Sequence, residues 1–334
     1  MRYADVPTVT LFLYGIHSSI MKRSRAEKVE DIELENCRDL KDLTEQMYRS
    51  GGFTAKKVGE AARILRRMID DGAYIFLSFP ADIVSTGTRG VLRYLVRERL
   101  VSAIVTTCGT LDHDLARSWK SYYHGDFLMD DAKLRKEGVN RLGNILIPDG
   151  SYGVVLERKM RPFLSRLYRE GKKRISTAEL CDELGAYVDD ERSILFWAHR
   201  NRIPVFVPGI TDGAVGSQLW LFWQEHKDFT IDLLKDEHAL SDIVYTASRT
   251  GALMIGGGIS KHHTIWWNQF RGGLDYVVYL TTAQEYDGSL SGAPVREAIS
   301  WGKVRPGARH VTVEGDATIT LPLIVGSCIA SKKA

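Results

Sequence analysis

Six short apolar runs, separated by segments long enough for helices, narrow the folds open to this 334-residue chain. Each run is continuously apolar rather than alternating, which is typical of strands that helices cover on both faces. Helical patterns such as 89–100 and 263–270 supply right-handed crossovers. The sequence therefore predicts an α/β fold with a doubly wound, mostly parallel sheet. Its predicted strands are 74–79, 103–107, 205–208, 253–255, 276–281 and 311–313.

The residues that follow these predicted strands are small or polar. In doubly wound sheets, ligands gather at the carboxyl ends of the strands, where the strand order reverses. Small residues let backbone N–H groups approach a pyrophosphate, and helix N-termini favour anions. No GxGxxG fingerprint is present, so the residues alone leave a dinucleotide, a phosphate and ligand-free turns as open alternatives.

The stretch 283–303, AQEYDGSLSGAPVREAISWGK, concentrates groups suited to amine chemistry. Lys303 follows Trp301 and Gly302, at the end of a predicted short helix at 295–301. A lysine beside an indole is partly desolvated, which disfavours its charged form and lets the amine act as a nucleophile. Neighbouring carboxylates suit a cationic partner. The alternative is a surface loop that carries a solvated lysine.

Charge and cysteine content exclude several classes of protein. Basic and acidic residues number 45 and 42 without a long like-charge block, so we expect no nucleic-acid or membrane partner. The four cysteines lack paired spacing, which favours reduced core thiols in a cytoplasmic protein over disulfides or zinc. The apolar run 9–16 lacks a basic leader, and the run 318–330 is too short to span a bilayer and predicts a buried helix.

Residues 1–36 lack a clear pattern and are predicted to form an N-terminal arm, and 37–334 are predicted to form one α/β domain. Helical patterns begin near residue 40, again at a predicted N-cap, Thr54, and later after a predicted cap at Ser176. The looser region 120–201 is interpreted as an insertion within the same domain, because no Pro-, Gly- or Ser-rich linker bounds it.

Three blocks of the chain resemble the signature blocks of deoxyhypusine synthase: GGGISKHH at 256–263, YLTTAQEYDGSLSGA at 279–293 and EAISWGK at 297–303. The similarity continues in collinear blocks from about residue 71 to residue 330. This resemblance implies a Rossmann-like NAD-binding fold. It also implies transfer of the aminobutyl part of spermidine to one lysine of the translation initiation factor 5A precursor.

The resemblance also implies roles for particular residues. Lys303 matches the lysine that carries a covalent imine, and His262 matches a histidine near the secondary amine of spermidine, which can exchange a proton. Trp301 and His262 also have ordinary alternatives, a core anchor and a helix-start histidine. No metal site is expected, since the spacing offers no standard ligand set. The positions implied to bind the substrate are Glu297, Trp301, Asp287, Gly288, Ser289, Asp112 and His113.

The cofactor positions implied by the resemblance lie at the predicted strand ends. Acidic residues there suit ribose hydroxyls, with an N-cap as the alternative for Asp316. Ala81-Asp82 replaces a Ser-Asn motif of the family, which weakens that assignment. The positions are Asp82, Ser85, Thr107, Gly109, Asp212, Gly257, Thr282, Ala283, Asp316 and Ala317.

Three departures concern the amine channel. Ser217 and Leu290 stand where the eukaryotic enzymes have acids, and Asp112-His113 stands for paired glutamates. A buried ammonium group needs a carboxylate partner, so Asp112, Asp287 and Glu297 are expected to take over. The lost acids leave open a homospermidine-synthase-like transfer to a free amine such as putrescine. A catalytically silent NAD-binding homologue is the other alternative.

The resemblance further implies a homotetramer whose site is completed at a subunit interface. The apolar run 219–223, LWLFW, gives a reason in the sequence itself. A helix buried on all sides is the alternative interpretation of that run.

Overall fold

The structure is a computed structural model that describes residues 27–330. The apolar run 9–16 and most of the predicted arm lie outside the described residues. The strands are β1 (Tyr74–Ser78), β2 (Ala103–Val105), β3 (Tyr123–His124), β4 (Val139–Leu142), β5 (Ile145–Pro148), β6 (Arg174–Ile175), β7 (Val205–Phe206), β8 (Thr230–Ile231), β9 (Thr250–Ile255), β10 (Leu274–Thr281) and β11 (Val304–Glu314).

Six of these strands form one parallel sheet in the order β11-β10-β9-β1-β2-β7. The chain passes from β1 to β2 on one side and returns to β9 on the other, so the strand order reverses at β1. All six strands predicted from apolar runs belong to this sheet, and the predicted fold class is confirmed. The last strand begins seven residues earlier than predicted, because it is an edge strand whose half-exposed residues interrupt the apolar pattern.

The helices cover both faces of the sheet. Their bounds are Leu40–Arg49, Phe53–Asp70, Arg89–Arg97, Cys108–Trp119, Asp131–Lys136, Gly153–Arg169, Thr177–Val188, Ile194–Asn201, Ala214–Glu225, Leu233–Thr246, Gly258–Asn268, Glu297–Ser300 and Ala317–Ala330. Short 3-10 turns occupy Leu34–Asn36, Asp82–Ser85, Asp149–Ser151, Gln269–Arg271 and Glu285–Asp287.

The predicted N-caps and the predicted C-terminal helix can be compared with the observed helices. Ser176 is confirmed as an N-cap: it exchanges hydrogen bonds with Glu179 in a capping box. The prediction of Thr54 as a cap is wrong, because the helix Phe53–Asp70 already begins after Gly52. The predicted buried helix near the C-terminus is confirmed as Ala317–Ala330, which buries Leu321 and Ile324.

Alternate residues of the strands point to two apolar layers. Leu77 and Leu280 pack with helices such as Phe53–Asp70, whereas Phe76 and Tyr279 pack on the opposite face. Three of the four cysteines are buried in this core and Cys37 is partly exposed, and all four are free thiols. Within residues 27–330, no helix is both long and apolar enough to cross a membrane.

Two small sheets involve the region 120–201. One has the antiparallel order β3-β5-β4, and the other pairs β6 with β8 in parallel. The helix Ile194–Asn201 begins at Ser193, and its start is held by Asp114, whose carboxylate accepts hydrogen bonds from the backbone N–H groups of Ile194 and Leu195 at 3.0 Å each.

Asp114 also forms a buried ion pair that joins this region to the main sheet. Its carboxylate lies 2.7 Å from Nε of Arg89, and both side chains are almost fully buried. The Ser193 hydroxyl donates to the same carboxylate at 2.6 Å. Since a buried charge without its partner is costly, this cluster should be sensitive to loss of either member.

We predict that Asp114→Ala lowers the free energy of unfolding by about 3–5 kcal/mol, because it leaves the Arg89 guanidinium group buried and unpaired. Chemical denaturation monitored by circular dichroism would measure the loss. Asp131→Ala is the matched control, since it removes an aspartate from an exposed ion pair with Arg141. Equal losses in the two variants would contradict the prediction.

Candidate active site

A cavity of about 330 Å³ lies between the helix Gly258–Asn268 and the segment 290–304. Met254 of β9 and Ile265 of the helix are among its apolar lining residues, and the segment 290–304 closes it from the other side. Four of the residues singled out from the sequence line this one cavity. They are Lys303, His262, Glu297 and Trp301.

Lys303 is held at the start of the edge strand with its side chain in the cavity. Its backbone N–H donates to the carbonyl of Ala298 at 3.0 Å, and its carbonyl accepts from Leu274 N–H at 3.0 Å. Gly302, in the left-handed region at φ 69°, makes the turn that precedes it. The side chain is only 8% exposed. The short helix predicted at 295–301 is present as Glu297–Ser300.

Two indole rings flank the Lys303 amine. Nζ lies 5.2 Å from the ring centroid of Trp301 and 5.6 Å from that of Trp266. Aromatic faces attract cations at such distances, by about 0.5–2 kcal/mol depending on desolvation. The cavity is therefore suited to an amine or ammonium group. Trp266 is not among the residues predicted from the sequence, because an indole within the run Ile265-Trp266-Trp267 resembles an ordinary core residue.

His262 stacks on the same Trp266 ring, with centroids 5.6 Å apart. Partial burial lowers the pKa of His262, and the positive charge of Lys303 lowers it further. The imidazole is consequently neutral at pH 7 and offers a lone pair to a proton donor in the cavity.

Lys261 is a second lysine of the cavity. Its Nζ donates to the carbonyls of Leu290 and Ala293 at 2.7 Å each and lies 3.8 Å from the Tyr279 ring. Burial lowers its pKa to about 8, against a smaller opposing effect of Glu297. The amine of Lys261 is thus engaged in holding the 290–293 loop. Lys261 is not among the residues predicted from the sequence, although it directly precedes His262.

Glu297 has the only carboxylate among the described residues that line this cavity. Leu290, at one of the positions where the eukaryotic enzymes have an acid, also lines it. Ser217, the other such position, is exposed on the helix Ala214–Glu225, and its hydroxyl donates to Gly213 O at 3.0 Å. An apolar side chain therefore stands at one of these two positions, and an exposed hydroxyl group stands at the other.

The remaining predicted substrate residues do not line this cavity. Asp287, Gly288 and Ser289 form an exposed turn in which Asp287 accepts from Ser289 N–H at 2.7 Å. Hydrogen bonds from Ser289 lower the pKa of Asp287. Asp287, which is predicted to take over from a channel acid, therefore does not line this cavity.

Asp112 and His113 lie apart from the cavity, on the helix Cys108–Trp119. The Asp112 carboxylate accepts from Ala214 N–H at 2.8 Å, Val215 N–H at 2.7 Å and the Tyr152 hydroxyl at 2.7 Å. It thus holds the start of the next helix, and burial raises its pKa. His113 pairs with the Tyr122 hydroxyl at 2.9 Å, and burial lowers its pKa to about 4.

The predicted cofactor positions follow the carboxyl ends of the central strands, whereas the Lys303 backbone lies at the amino end of β11. None of these positions lines the lysine cavity. Asp82, Asp212, Thr282 and Asp316 are exposed, and Asp316 also caps the last helix, accepting from Thr318 N–H at 2.7 Å.

Two glycines at this edge allow very close backbone approaches. A Cβ on Gly109 would lie 2.7 Å from Cβ of Ala81, and one on Gly257 would lie 2.1 Å from Oγ of Ser291. Small residues and exposed carboxylates of this kind fit a dinucleotide, whose pyrophosphate needs N–H groups and whose ribose needs acceptors. The other predicted positions at this edge are the buried Ser85, whose hydroxyl donates to Asp82 O at 2.6 Å, and the half-buried Thr107, Ala283 and Ala317.

Within residues 27–330, no three His, Cys, Asp or Glu side chains converge as metal ligands would. Asp112 and Asp114 instead hold helix starts, and Asp114 also forms the ion pair with Arg89.

Comparison with known proteins gives a consistent result. A family model described as deoxyhypusine synthase matches residues 42–328. A "Probable deoxyhypusine synthase" of Picrophilus torridus is 58% identical over 299 residues, covering 90% of this chain and 96% of the relative. One of Thermoplasma acidophilum is 55% identical over 304 residues, covering 91% and 98%.

A solved structure described as a candidate deoxyhypusine synthase from Entamoeba histolytica has a similar fold. Its TM-score is 0.66 at 21% identity, and the match covers 90% of this chain and 97% of that chain.

We predict that Lys303→Met raises the pKa of His262, because it removes a positive charge that disfavours the imidazolium form. NMR titration of the His262 ring protons would measure this change. Lys120→Met is the control, since Lys120 is exposed and does not line the cavity. An unchanged or lower pKa of His262 in Lys303→Met would show that the two groups are not coupled.

Proposed function

Since this chain belongs to the deoxyhypusine synthase family, as the match over residues 42–328 and relatives 55–58% identical show, we propose that it performs that family's reaction. In this reaction the aminobutyl group of spermidine is transferred, through an imine on Lys303, to a lysine of the translation initiation factor 5A precursor. The observation that carries the proposal is the placement of Lys303 with His262, Glu297 and Trp301 around one cavity.

The cavity suits the binding of a linear polyamine. Spermidine is cationic, and the cavity offers the faces of Trp266 and Trp301 together with the carboxylate of Glu297. A charge-assisted hydrogen bond contributes about 1.5–3 kcal/mol and a cation–π contact about 0.5–2 kcal/mol. Glu297 is therefore the stronger single anchor, and the indoles orient the aliphatic chain.

NAD, when bound at the carboxyl edge of the sheet, supplies a hydride acceptor for spermidine and later a hydride donor for the product. The residues that would hold it are the exposed carboxylates of Asp82, Asp212 and Asp316 and the close-packed glycines Gly109 and Gly257.

His262 and Lys303 then divide the remaining chemistry. The neutral imidazole of His262 takes a proton from the secondary amine of spermidine and can return one later. The Lys303 amine attacks the oxidised carbon, a new C–N bond forms, and 1,3-diaminopropane leaves. The acceptor lysine next replaces Lys303 at the same carbon. Lys303 is only 8% exposed, which limits the access of water that would otherwise hydrolyse an imine.

The separation of the Lys303 cavity from the predicted cofactor positions favours the assembly of several copies of the chain. The Lys303 cavity and the predicted cofactor positions share no lining residue within one subunit. A neighbouring subunit that presented its strand ends to the cavity would unite them in a homotetramer.

The surface of the helix Ala214–Glu225 is consistent with such an assembly. Leu219 and Phe222 are buried, whereas Trp220, Leu221 and Trp223 are 58%, 47% and 40% exposed. A helix buried on all sides is thus the wrong interpretation of the 219–223 run within one subunit. Such an exposed apolar face suits burial against another copy.

Sedimentation equilibrium should yield a tetramer mass, and a monomer at working concentration would contradict it.

One observation favours a second candidate, transfer to a free amine such as putrescine. With Leu290 in the wall, Glu297 has the only lining carboxylate among the described residues. A cavity with fewer acids than expected could accept a different set of amines. A silent NAD-binding homologue is less consistent with a buried lysine, a neutral histidine and a carboxylate in one cavity.

Incubation with NAD and labelled spermidine, with and without the factor 5A precursor, tests the proposal. We expect label on the precursor, and label on free amines or nowhere would favour one of the alternatives.

Borohydride trapping should mark the peptide that contains Lys303, because the Lys261 amine is engaged with two carbonyls. Lys303→Met should abolish trapping and Lys261→Met should retain it. Label on Lys261 would contradict the assignment.

The carboxylate in the cavity gives a quantitative test. We predict that Glu297→Gln weakens spermidine binding by roughly ten- to a hundredfold, because an ammonium group loses its charged partner. NAD binding should change little, and Leu290→Asp should tighten spermidine by adding an acid to the wall. Calorimetry would measure the dissociation constants, with Glu285→Gln as a control that removes a carboxylate from the exposed loop nearby. If neither Glu297→Gln nor Leu290→Asp alters spermidine binding, this cavity does not bind the polyamine.

A further inference from the structure

A second concavity, of about 570 Å³, lies at the amino ends of β9 and β10 and shares no lining residue with the lysine cavity. We call it the arginine pocket. Arg67, Arg249, Arg305 and Arg309 line it together with Asp71 and Asp275. No substrate, cofactor or catalytic position predicted from the sequence falls among these residues.

An irregularity of the edge strand builds one wall of the arginine pocket. Leu274 pairs with Val304, and Tyr276 pairs with Arg309, so β10 advances two residues while β11 advances five. The extra residues, which include Pro306 and Gly307, bulge out of the ladder into the pocket wall. Bulges re-aim side chains and often accompany functional positions. Here the bulge separates Arg305 from Arg309 and directs both to the same concavity.

The two carboxylates of this region are each shared by two guanidinium groups. One oxygen of Asp71 lies 2.9 Å from Arg67 and 3.3 Å from Arg249. Asp275 lies 3.0 Å from Arg271 and 2.9 Å from Arg305. Each carboxylate thus neutralises only one of its two partners.

Arg309 adds another charge. It is exposed, and it forms no ion pair or hydrogen bond through its side chain with the described residues. Among the lining residues, four guanidinium groups therefore stand against two carboxylates, an excess of two positive charges.

Such an excess in a concave site calls for an anion. Like charges held together repel one another, and guanidinium groups present planar pairs of N–H donors that match the oxygens of a tetrahedral oxyanion. Lysine would offer only a point charge, whereas here every cationic lining residue is an arginine. The site thus has the donors for a multiply charged oxyanion and lacks an acceptor that satisfies all of them.

We propose that the arginine pocket binds a phosphate-class oxyanion, either free phosphate or the phosphate group of a larger ligand. Arg305, Arg309 and Arg249 donate to its oxygens, and Asp71 and Asp275 keep the neighbouring guanidinium groups oriented. The proposal does not depend on the reaction in the lysine cavity.

Calorimetry on the full chain, with inorganic phosphate and pyrophosphate as probes at constant ionic strength, tests this assignment. We expect saturable binding of one anion per subunit, with pyrophosphate tighter than phosphate. Arg309→Ala should weaken binding by roughly tenfold, the size of one lost charge-assisted contact. Arg249→Ala should do the same, and Asp71 keeps its pairing with Arg67 in that variant. Arg135→Ala is the matched control, since Arg135 is an exposed arginine on the helix Asp131–Lys136, which does not line the pocket.

Each outcome of these measurements either supports or contradicts the proposed anion site. Weaker binding in Arg309→Ala and Arg249→Ala, with unchanged binding in Arg135→Ala and unchanged circular dichroism, supports the site. Absence of saturable binding, equal affinity in all variants, or an equal effect of chloride would overturn it. If one variant fails to fold, the other still decides the question. The spermidine assay is separate, so failure there leaves this result unaffected.

Discussion

The close approach of Gly257 to Ser291 is the contact on which the candidate site depends. A Cβ at Gly257 would lie 2.1 Å from the Ser291 hydroxyl oxygen, so only glycine lets the 284–296 loop pack this closely against the end of β9. The hydroxyls of Tyr279 and Thr281 and the amine of Lys261 then hold the loop by its carbonyls. Because of this packing, the chain turns back over the sheet and brings Lys303 opposite His262.

The same loop explains why one lysine is held and the other is available. Lys261 lies under the loop, and its amine donates hydrogen bonds to two carbonyls of the loop. Burial lowers the pKa of Lys261 to about 8. A neutral amine has two hydrogens, so these bonds survive its deprotonation. Because the folded pKa lies below the usual 10.5, the folded state gains stability from this group as the pH rises from about 8 to 10.5. Lys303 emerges beyond the loop, between two indoles.

The cavity offers a cation one carboxylate, that of Glu297, and the faces of two indole rings. A carboxylate that pairs with a buried ammonium contributes about 1.5–3 kcal/mol, whereas an indole face contributes about 0.5–2 kcal/mol. Two indoles thus attract a cation about as strongly as one carboxylate, and only where water is excluded. Trp266 is 42% exposed and Trp301 is 66% exposed, so their full effect requires that a bound molecule cover them.

The sequence by itself determined the fold class, because continuous apolar runs are a local property and all six mark strands of the central sheet. It also singled out Lys303, His262, Glu297 and Trp301, which fall within two short blocks. Tertiary structure decided what depends on distant partners. Asp112 holds a helix 102 residues away, Asp287 turns outward, and Trp266 joins the lysine. The arginine pocket likewise draws on residues from 67 to 309, whose proximity arises only when parallel strands align their amino ends.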